Sequence, residues 1–173
     1  MSNESIRLGW WWYPMDVLLD LLNSRPLING EEQDALADPA EGRRWAREHG
    51  GDGSLAELTL LREARDALRD VARGKSSPAA LGPLLEGVHQ TPEITADGLR
   101  WTVVTPPHAR LAVETVLAWA ATEHNMPGRL RPCANDACQL FLLDRSRANR
   151  ARWCSMAVCG NREKARRHYE RTR

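Results

Sequence analysis

The sequence predicts an α+β fold, mainly helical: an N-terminal helical domain with one β-hairpin, followed by a small four-cysteine zinc-finger module made of a β-hairpin and a C-terminal helix. Three observations carry that prediction. Apolar residues recur at helical spacing through most of the first 125 positions. One stretch, Ile94 to Thr105, changes to short strand-like runs around Asp97-Gly98. All four cysteines, Cys133, Cys138, Cys154 and Cys159, fall within residues 129–173.

Val17, Leu18, Leu21 and Leu22 mark the first helix, bounded by Pro14 and Pro26. Asp38-Pro39 reads as the N-cap and first turn of a second, which Gly50-Gly51 ends. Ser54-Leu55-Ala56-Glu57 has capping-box spacing and opens a long third helix through Leu58, Leu61, Arg65, Leu68 and Val71, with Gly74 as its stop. Ser77-Pro78 starts a short helix reaching Leu84 and Leu85. Ile94-Thr95-Ala96 and Leu99 to Thr105 read as strands, with Asp97-Gly98 supplying the positive backbone angles of a two-residue turn. His108 to Glu123 returns to helical spacing. Trp45, Trp101 and Trp119 sit at apolar positions and are expected in the core.

The composition, 42% hydrophobic and 27% charged, supports a packed core and excludes collagen-like or wholly disordered chains. No apolar run approaches the ~20 residues of a membrane span, and no secretory pattern opens the chain, so a cytoplasmic protein is expected. The formal charge of +1 conceals a division. Residues 1–128 hold 12 basic and 19 acidic side chains, a formal −7, whereas residues 129–173 hold 12 and 4, a formal +8. The division suggests two modules, 1–128 and 129–173, the second suited to a polyanion.

Within residues 1–128 there is no glycine-rich phosphate loop, no cysteine nucleophile and no histidine pair at metal-ligand spacing, so an enzyme is not expected. Trp10-Trp11-Trp12-Tyr13 leaves two readings open. The rings pack on the first helix, or they form a ligand or partner surface.

Cys133-x4-Cys138 and Cys154-x4-Cys159 are two close pairs separated by fifteen residues. That is the pattern of a four-thiolate zinc site, with the x4 gap at the upper edge of the usual range. Disulfides are the alternative and require an oxidising compartment. An iron–sulfur cluster or another metal is the remaining one. Four thiolates close the coordination sphere, so the ion, one Zn2+, is expected to be structural and not hydrolytic. Between the pairs, Gln139–Leu143 reads as one strand, Arg145–Arg150 as a polar turn and Ala151–Cys154 as the returning strand. Gly160-Asn161 is expected to turn the chain and cap a last helix to about Thr172.

Arg145, Arg147, Arg150 and Arg152 crowd the turn, and Arg162, Lys164, Arg166 and Arg167 follow on the helix. Guanidinium groups pair their donors with phosphate oxygens, and a basic helix fits the major groove. The first four are therefore expected on phosphates, with Lys164, Arg166 or Arg167 reaching base edges and Arg162 in the same contact set.

The run from Arg147 through Cys154 to Cys159-Gly160-Asn161-Arg162 and Arg166 resembles the CGNR zinc finger, and Leu19-Asp20-Leu21-Leu22-Asn23-Ser24-Arg25-Pro26 resembles the Asp-Leu-Val-Asn-Thr opening of the ABATE domain that precedes it. Ser24 stands where that signature has threonine. The resemblance implies a bacterial stress-response transcription regulator, with Cys133, Cys138, Cys154 and Cys159 as zinc ligands. Duplex DNA is the expected partner. The acidic domain would sense a small-molecule effector or form a homodimer. A zinc-stabilised module that binds RNA or protein without an operator is the alternative, and a nuclease built on His168 is a third reading that lacks a second catalytic group.

Overall fold

A computed structural model of the chain describes residues 15–28 and 30–172. Trp10 to Tyr13 lie outside them. α1 (Met15–Asn23) buries Leu18, Leu21 and Leu22 along one stripe. α2 (Pro39–Glu48) starts where the Asp38 carboxylate accepts from the Ala40 and Glu41 amides, both at 2.9 Å. Gly42 lies against α3; a β-carbon there would stand 2.6 Å from Leu58 Cδ1.

α3 (Leu55–Ala72) is capped by Ser54 Oγ, which accepts from the Glu57 amide at 3.0 Å. Glu57 answers one residue further back than a standard capping box, accepting from the Gly53 amide at 2.7 Å. The helix ends in a Schellman turn: the Gly74 amide donates to Val71 O and the Lys75 amide to Asp70 O, with Gly74 at φ +70°. α4 (Arg110–Asn125) follows a 3₁₀ turn (Pro107–Ala109) and packs between α1 and α3. Leu36, Leu58, Leu61, Leu68, Leu111 and Val116 are among the residues that close the shared core.

Through residue 125 the elements match the predicted helix order, with four differences. Pro78–Leu85 is a 3₁₀ segment with Pro83 inside it, since that proline offers no amide to an α-helical ladder. A short extra hairpin, β1 (Leu27–Ile28) with β2 (Glu31–Glu32), follows α1 and turns through Gly30 at φ +86°. The larger hairpin, β3 (His89–Thr95) with β4 (Gly98–Val104), is longer than expected. Its loop residues are Ala96 and Asp97, and only Gly98 takes the left-handed angle, at φ +114°. Finally, Trp101 is exposed on that hairpin, while Trp45 and Trp119 are partly buried against the core.

A third hairpin, β5 (Leu130–Pro132) with β6 (Phe141–Leu143), encloses the first cysteine pair and completes the body's core. Phe141 is 1% exposed and Leu130 6%.

Candidate metal centre and the basic surface around it

Two differently built turns bring the cysteines together. After β5, the Cys133 amide donates to Leu140 O at 2.8 Å. The Cys138 amide donates to Asn135 O at 2.7 Å, and Asn135 Oδ1 accepts from the Ala137 amide, so the first knuckle is an Asx turn closed on itself. The second knuckle is a π-turn, Met156–Gly160, in which the Gly160 amide reaches Ser155 O at 3.0 Å. A turn of that width places Cys154 and Cys159, five positions apart, on one side, which accounts for the x4 spacing. A β-carbon at Gly160 would stand 2.8 Å from the Met156 sulfur, the far end of an exposed and flexible side chain that can move aside.

The four sulfurs lie within 4.8 Å of one another. Cys138 Sγ and Cys159 Sγ each stand 3.7 Å from Cys154 Sγ. A tetrahedron with metal–sulfur bonds of about 2.3 Å has edges of about 3.8 Å, whereas a disulfide needs about 2.05 Å. The distances therefore suit one zinc ion, and all four cysteines are free of disulfides.

Donors also surround the sulfurs. The Cys154 amide points at Cys133 Sγ at 3.5 Å, and the Asn135 side-chain amide at Cys159 Sγ at 3.4 Å. Burial pushes the Cys138 thiol up to about 11 and raises that of Cys154, with neighbouring thiols adding to the latter. At Cys159 burial is outweighed by the Asn135 hydrogen bond and by its neighbours, which lower it. Four sulfurs this close cannot all ionise unless a cation joins them; a divalent ion is what this donor set requires.

The expected returning strand at Ala151–Cys154 is not formed. Its backbone groups are engaged elsewhere: the Ala151 amide binds Asp144 Oδ2 at 2.7 Å, Arg152 O accepts from the Ala134 amide at 2.8 Å, and the Cys154 amide faces sulfur. The hairpin in this region is β5–β6 instead. Gly160-Asn161 likewise does not turn the chain; the π-turn runs straight into α5 (Asn161–Arg171), and the Asn161 side chain donates back to Ala157 O at 3.2 Å.

Asp144, which the sequence reading did not single out, organises the arginine-rich loop. It is 1% exposed and accepts from the Ser146 amide at 2.8 Å and from Arg131 at 2.6 Å. Arg131 also reaches Asn149 Oδ1 at 2.9 Å, and Asn149 holds φ +48°, an angle asparagine tolerates better than most residues. The only hint in the sequence is an acid at the head of a basic run.

Of the predicted contact residues, Arg147, Arg150, Arg152, Arg162 and Lys164 are exposed and form no ion pair among the described residues. Arg152 lies 5.1 Å from the Trp153 ring centroid. Arg145 pairs with Asp16 of α1 at 2.9 Å. Arg166 and Arg167 both bind Glu163, at 2.9 Å each. No residue of α5 is buried.

The segment is clasped to α1 by Asn23, whose side chain donates to Phe141 O at 3.2 Å and accepts from the Phe141 amide at 2.7 Å. Ser24 beside it accepts from Arg65 Nη1 at 3.0 Å, and Arg65 grips Asp34 with both terminal nitrogens. Asn23 and Ser24 belong to the signature that opens the helical domain. The ABATE family model, described as "Putative stress-induced transcription regulator", matches residues 15–142.

The chain belongs to the ABATE family.

The model described as the CGNR zinc finger matches residues 129–172. The two matches share residues 129–142, which hold β5, Cys133 and Cys138. The overlap has a physical counterpart in this ABATE protein: the first knuckle is a loop of a hairpin whose strands complete the helical core. Arg73 donates to Gln139 O at 2.8 Å and its guanidinium lies 4.4 Å from the Phe141 ring centroid. Arg69 binds Leu22 O at 2.6 Å and Gln139 Oε1 at 3.2 Å. Burial first, then the like charges of Arg73, Arg25 and Arg65, pull its guanidinium down to about 10. No curated protein matches the chain. No helix among the described residues is long and apolar enough to cross a membrane.

Proposed function

We propose that this protein is a DNA-binding transcription regulator. The four cysteines hold one structural Zn2+, and that ion fixes the arginine loop and α5 as a surface for duplex DNA. The observation that carries the reading is the concentration of exposed cations without an ion pair on both sides of the second cysteine pair. Arg147, Arg150 and Arg152 lie between the two cysteine pairs, and Arg162 and Lys164 follow the second. Arg145 joins them by exchanging Asp16 for a phosphate. Arg166 and Arg167 contribute as a pair oriented by Glu163, whose carboxylate they hold low, Arg166 foremost. The acidic ABATE domain, repelled by the backbone, stays off the duplex and serves as the sensor or dimerisation part. The bacterial stress-response role belongs to the same reading, supported by the family's description.

Binding of the zinc-loaded protein to duplex DNA, measured across a salt series, tests this. Five to eight phosphate contacts give a log–log slope of about −4 to −7. Replacing Arg147, Arg150 and Arg152 together by alanine is expected to lower the slope by about 3 while zinc stays bound. No binding at low salt, or a flat slope, removes the DNA reading. Preference for single-stranded RNA over duplex DNA would replace it with the RNA-binding alternative.

A further inference from the structure

The β3–β4 hairpin plays no part in the metal centre or the basic surface. It is a two-stranded sheet without a further strand on either edge among the described residues. Such a hairpin is marginal in water unless something completes it. Its register divides it into two faces. Glu93↔Arg100 and Thr91↔Thr102 lie on the polar one, and Ile94↔Leu99 and Pro92↔Trp101 on the apolar one. Ile94 is 80% exposed, Leu99 53% and Trp101 36%.

The two edges differ. A proline nitrogen cannot donate, so Pro92 fits opposite Trp101 only with its nitrogen turned away from β4. The pairs in step with it, Ile94↔Leu99 and Gln90↔Val103, therefore also turn their backbone groups outward. On β3 the middle of that outer row lacks a donor. On β4 the outer row, Leu99, Trp101 and Val103, is complete, with no proline, lysine or bulge to guard it.

The β4 sequence identifies the occupant. Leu99-Arg100-Trp101-Thr102-Val103 reads apolar, polar, aromatic, polar, apolar in both directions. An antiparallel copy centred on Trp101 sets Leu99 opposite Val103, Trp101 opposite Trp101, and Arg100 opposite Thr102, so no like charges face each other. We propose that β4 pairs with β4 of a second copy about a two-fold axis at Trp101, joining two hairpins into one four-stranded sheet. The main-chain groups of the open edge are then paired, and Leu99, Trp101 and Val103 pack sideways against their counterparts. The contact is isologous and closes on itself.

Sedimentation equilibrium of the full-length, zinc-loaded protein tests the assignment, with far-UV dichroism to confirm that each variant folds. The wild type is expected to pass from monomer to dimer between about 1 and 100 μM, as suits a small interface. Trp101→Pro removes an outward amide and the ring that faces its counterpart, and no bond within the hairpin, so the hairpin persists and the dimer is lost. Ile94→Lys alters the apolar face on β3 and leaves the dimer. Thr102→Glu faces Arg100 of the partner and tightens association about fivefold, while Thr102→Arg weakens it about as much. These two keep the register testable should Trp101→Pro fail to fold. A wild type that stays monomeric throughout overturns the proposal. So does a dimer that survives Trp101→Pro and is broken by Ile94→Lys, which would mean face-to-face packing. Either failure leaves the DNA reading standing.

Discussion

The helical body and the segment after β6 hold their shapes by different physics. In the body, leucines from α1, α3 and α4 interdigitate, and the buried charge of Arg65 is matched by Asp34. Among the described residues from 144 onward only Asp144, Cys159 and Gly160 are buried, and α5 buries nothing. A stretch with so little apolar burial cannot offset the entropy of ordering its backbone. The first region needs only its sequence pattern and water. The second needs an ion. Between them, β5 and β6 belong to both, because the loop that joins them carries two cysteines and the strands themselves lie against the leucine core.

The largest expected effect breaks this contrast at the metal. Cys154→Ser removes the sulfur that stands 3.7 Å from two of its neighbours. Structural zinc contributes about 10–16 kcal/mol in small domains, far more than residues 144–172 gain otherwise. Zinc content is expected to fall from one equivalent to none, and residues 144–172 to become open to protease. β5, β6 and α1–α4 stay folded, because Asn23, Arg69 and Arg73 hold the hairpin without the ion. Loading the wild type with zinc is expected to release protons, since burial raises the Cys138 and Cys154 thiols and their protons must leave. A segment that remains protected after metal removal would show that the contrast is false.

What was legible in the sequence follows the same division. Helices governed by local signals appear within a residue or two of their expected bounds: Asp38-Pro39, Ser54 with Glu57, and Gly74 each perform the capping their residue types suggest. The cysteine spacing gave the metal centre directly. Long-range pairing was not legible. Leu130–Pro132 is three residues long and contains a proline, so no alternation marks it as a strand; only its match to Phe141–Leu143 across the first knuckle makes it one. The expected strand at Ala151–Cys154 fails because carboxylate and sulfur take its amides, and no pattern of hydrophobicity records that competition. Trp101 reads as core because it sits at an apolar position of its strand; the strand does have an apolar face, but no other element among the described residues covers it.

A second test asks whether the shared hairpin really ties the two regions together. Phe141 is 1% exposed, under the guanidinium groups of Arg69 and Arg73 and clasped by Asn23. Phe141→Ala is expected to cost about 3–5 kcal/mol of the body's stability and also to loosen zinc, because Gln139 and Cys138 lose their backing. Chemical denaturation followed by a competitive chelator titration measures both. If stability falls and zinc affinity does not, β6 serves the core alone and the coupling is wrong. Asn23→Ala should do the same more weakly, by freeing the Phe141 amide and carbonyl.

The smallest effect concerns the arginine loop itself. Hydrogen bonds from Ser146 foremost, then from the Ala151 amide, with the Arg131 guanidinium beside them, hold the Asp144 carboxyl down to about 2. The unfolded value is about 3.9. A carboxyl lowered by folding stabilises the folded form in full above its unfolded value, and that contribution is lost as pH falls through about 2. Thiolates reclaim their protons at a higher pH, so on acidification zinc should leave first and the Asp144 cluster should titrate afterwards. Asp144→Asn at neutral pH separates the two. It keeps the shape but removes the charge facing Arg131 and an acceptor for the Ala151 amide, so the loop carrying Arg145, Arg147 and Arg150 should lose order while zinc stays bound. Amide exchange at Ser146 and Ala151 reports this, and DNA affinity should fall with it. Unchanged protection at both amides would mean that the ion alone orders the loop, and the difference between the two regions would then be even sharper than Asp144 suggests.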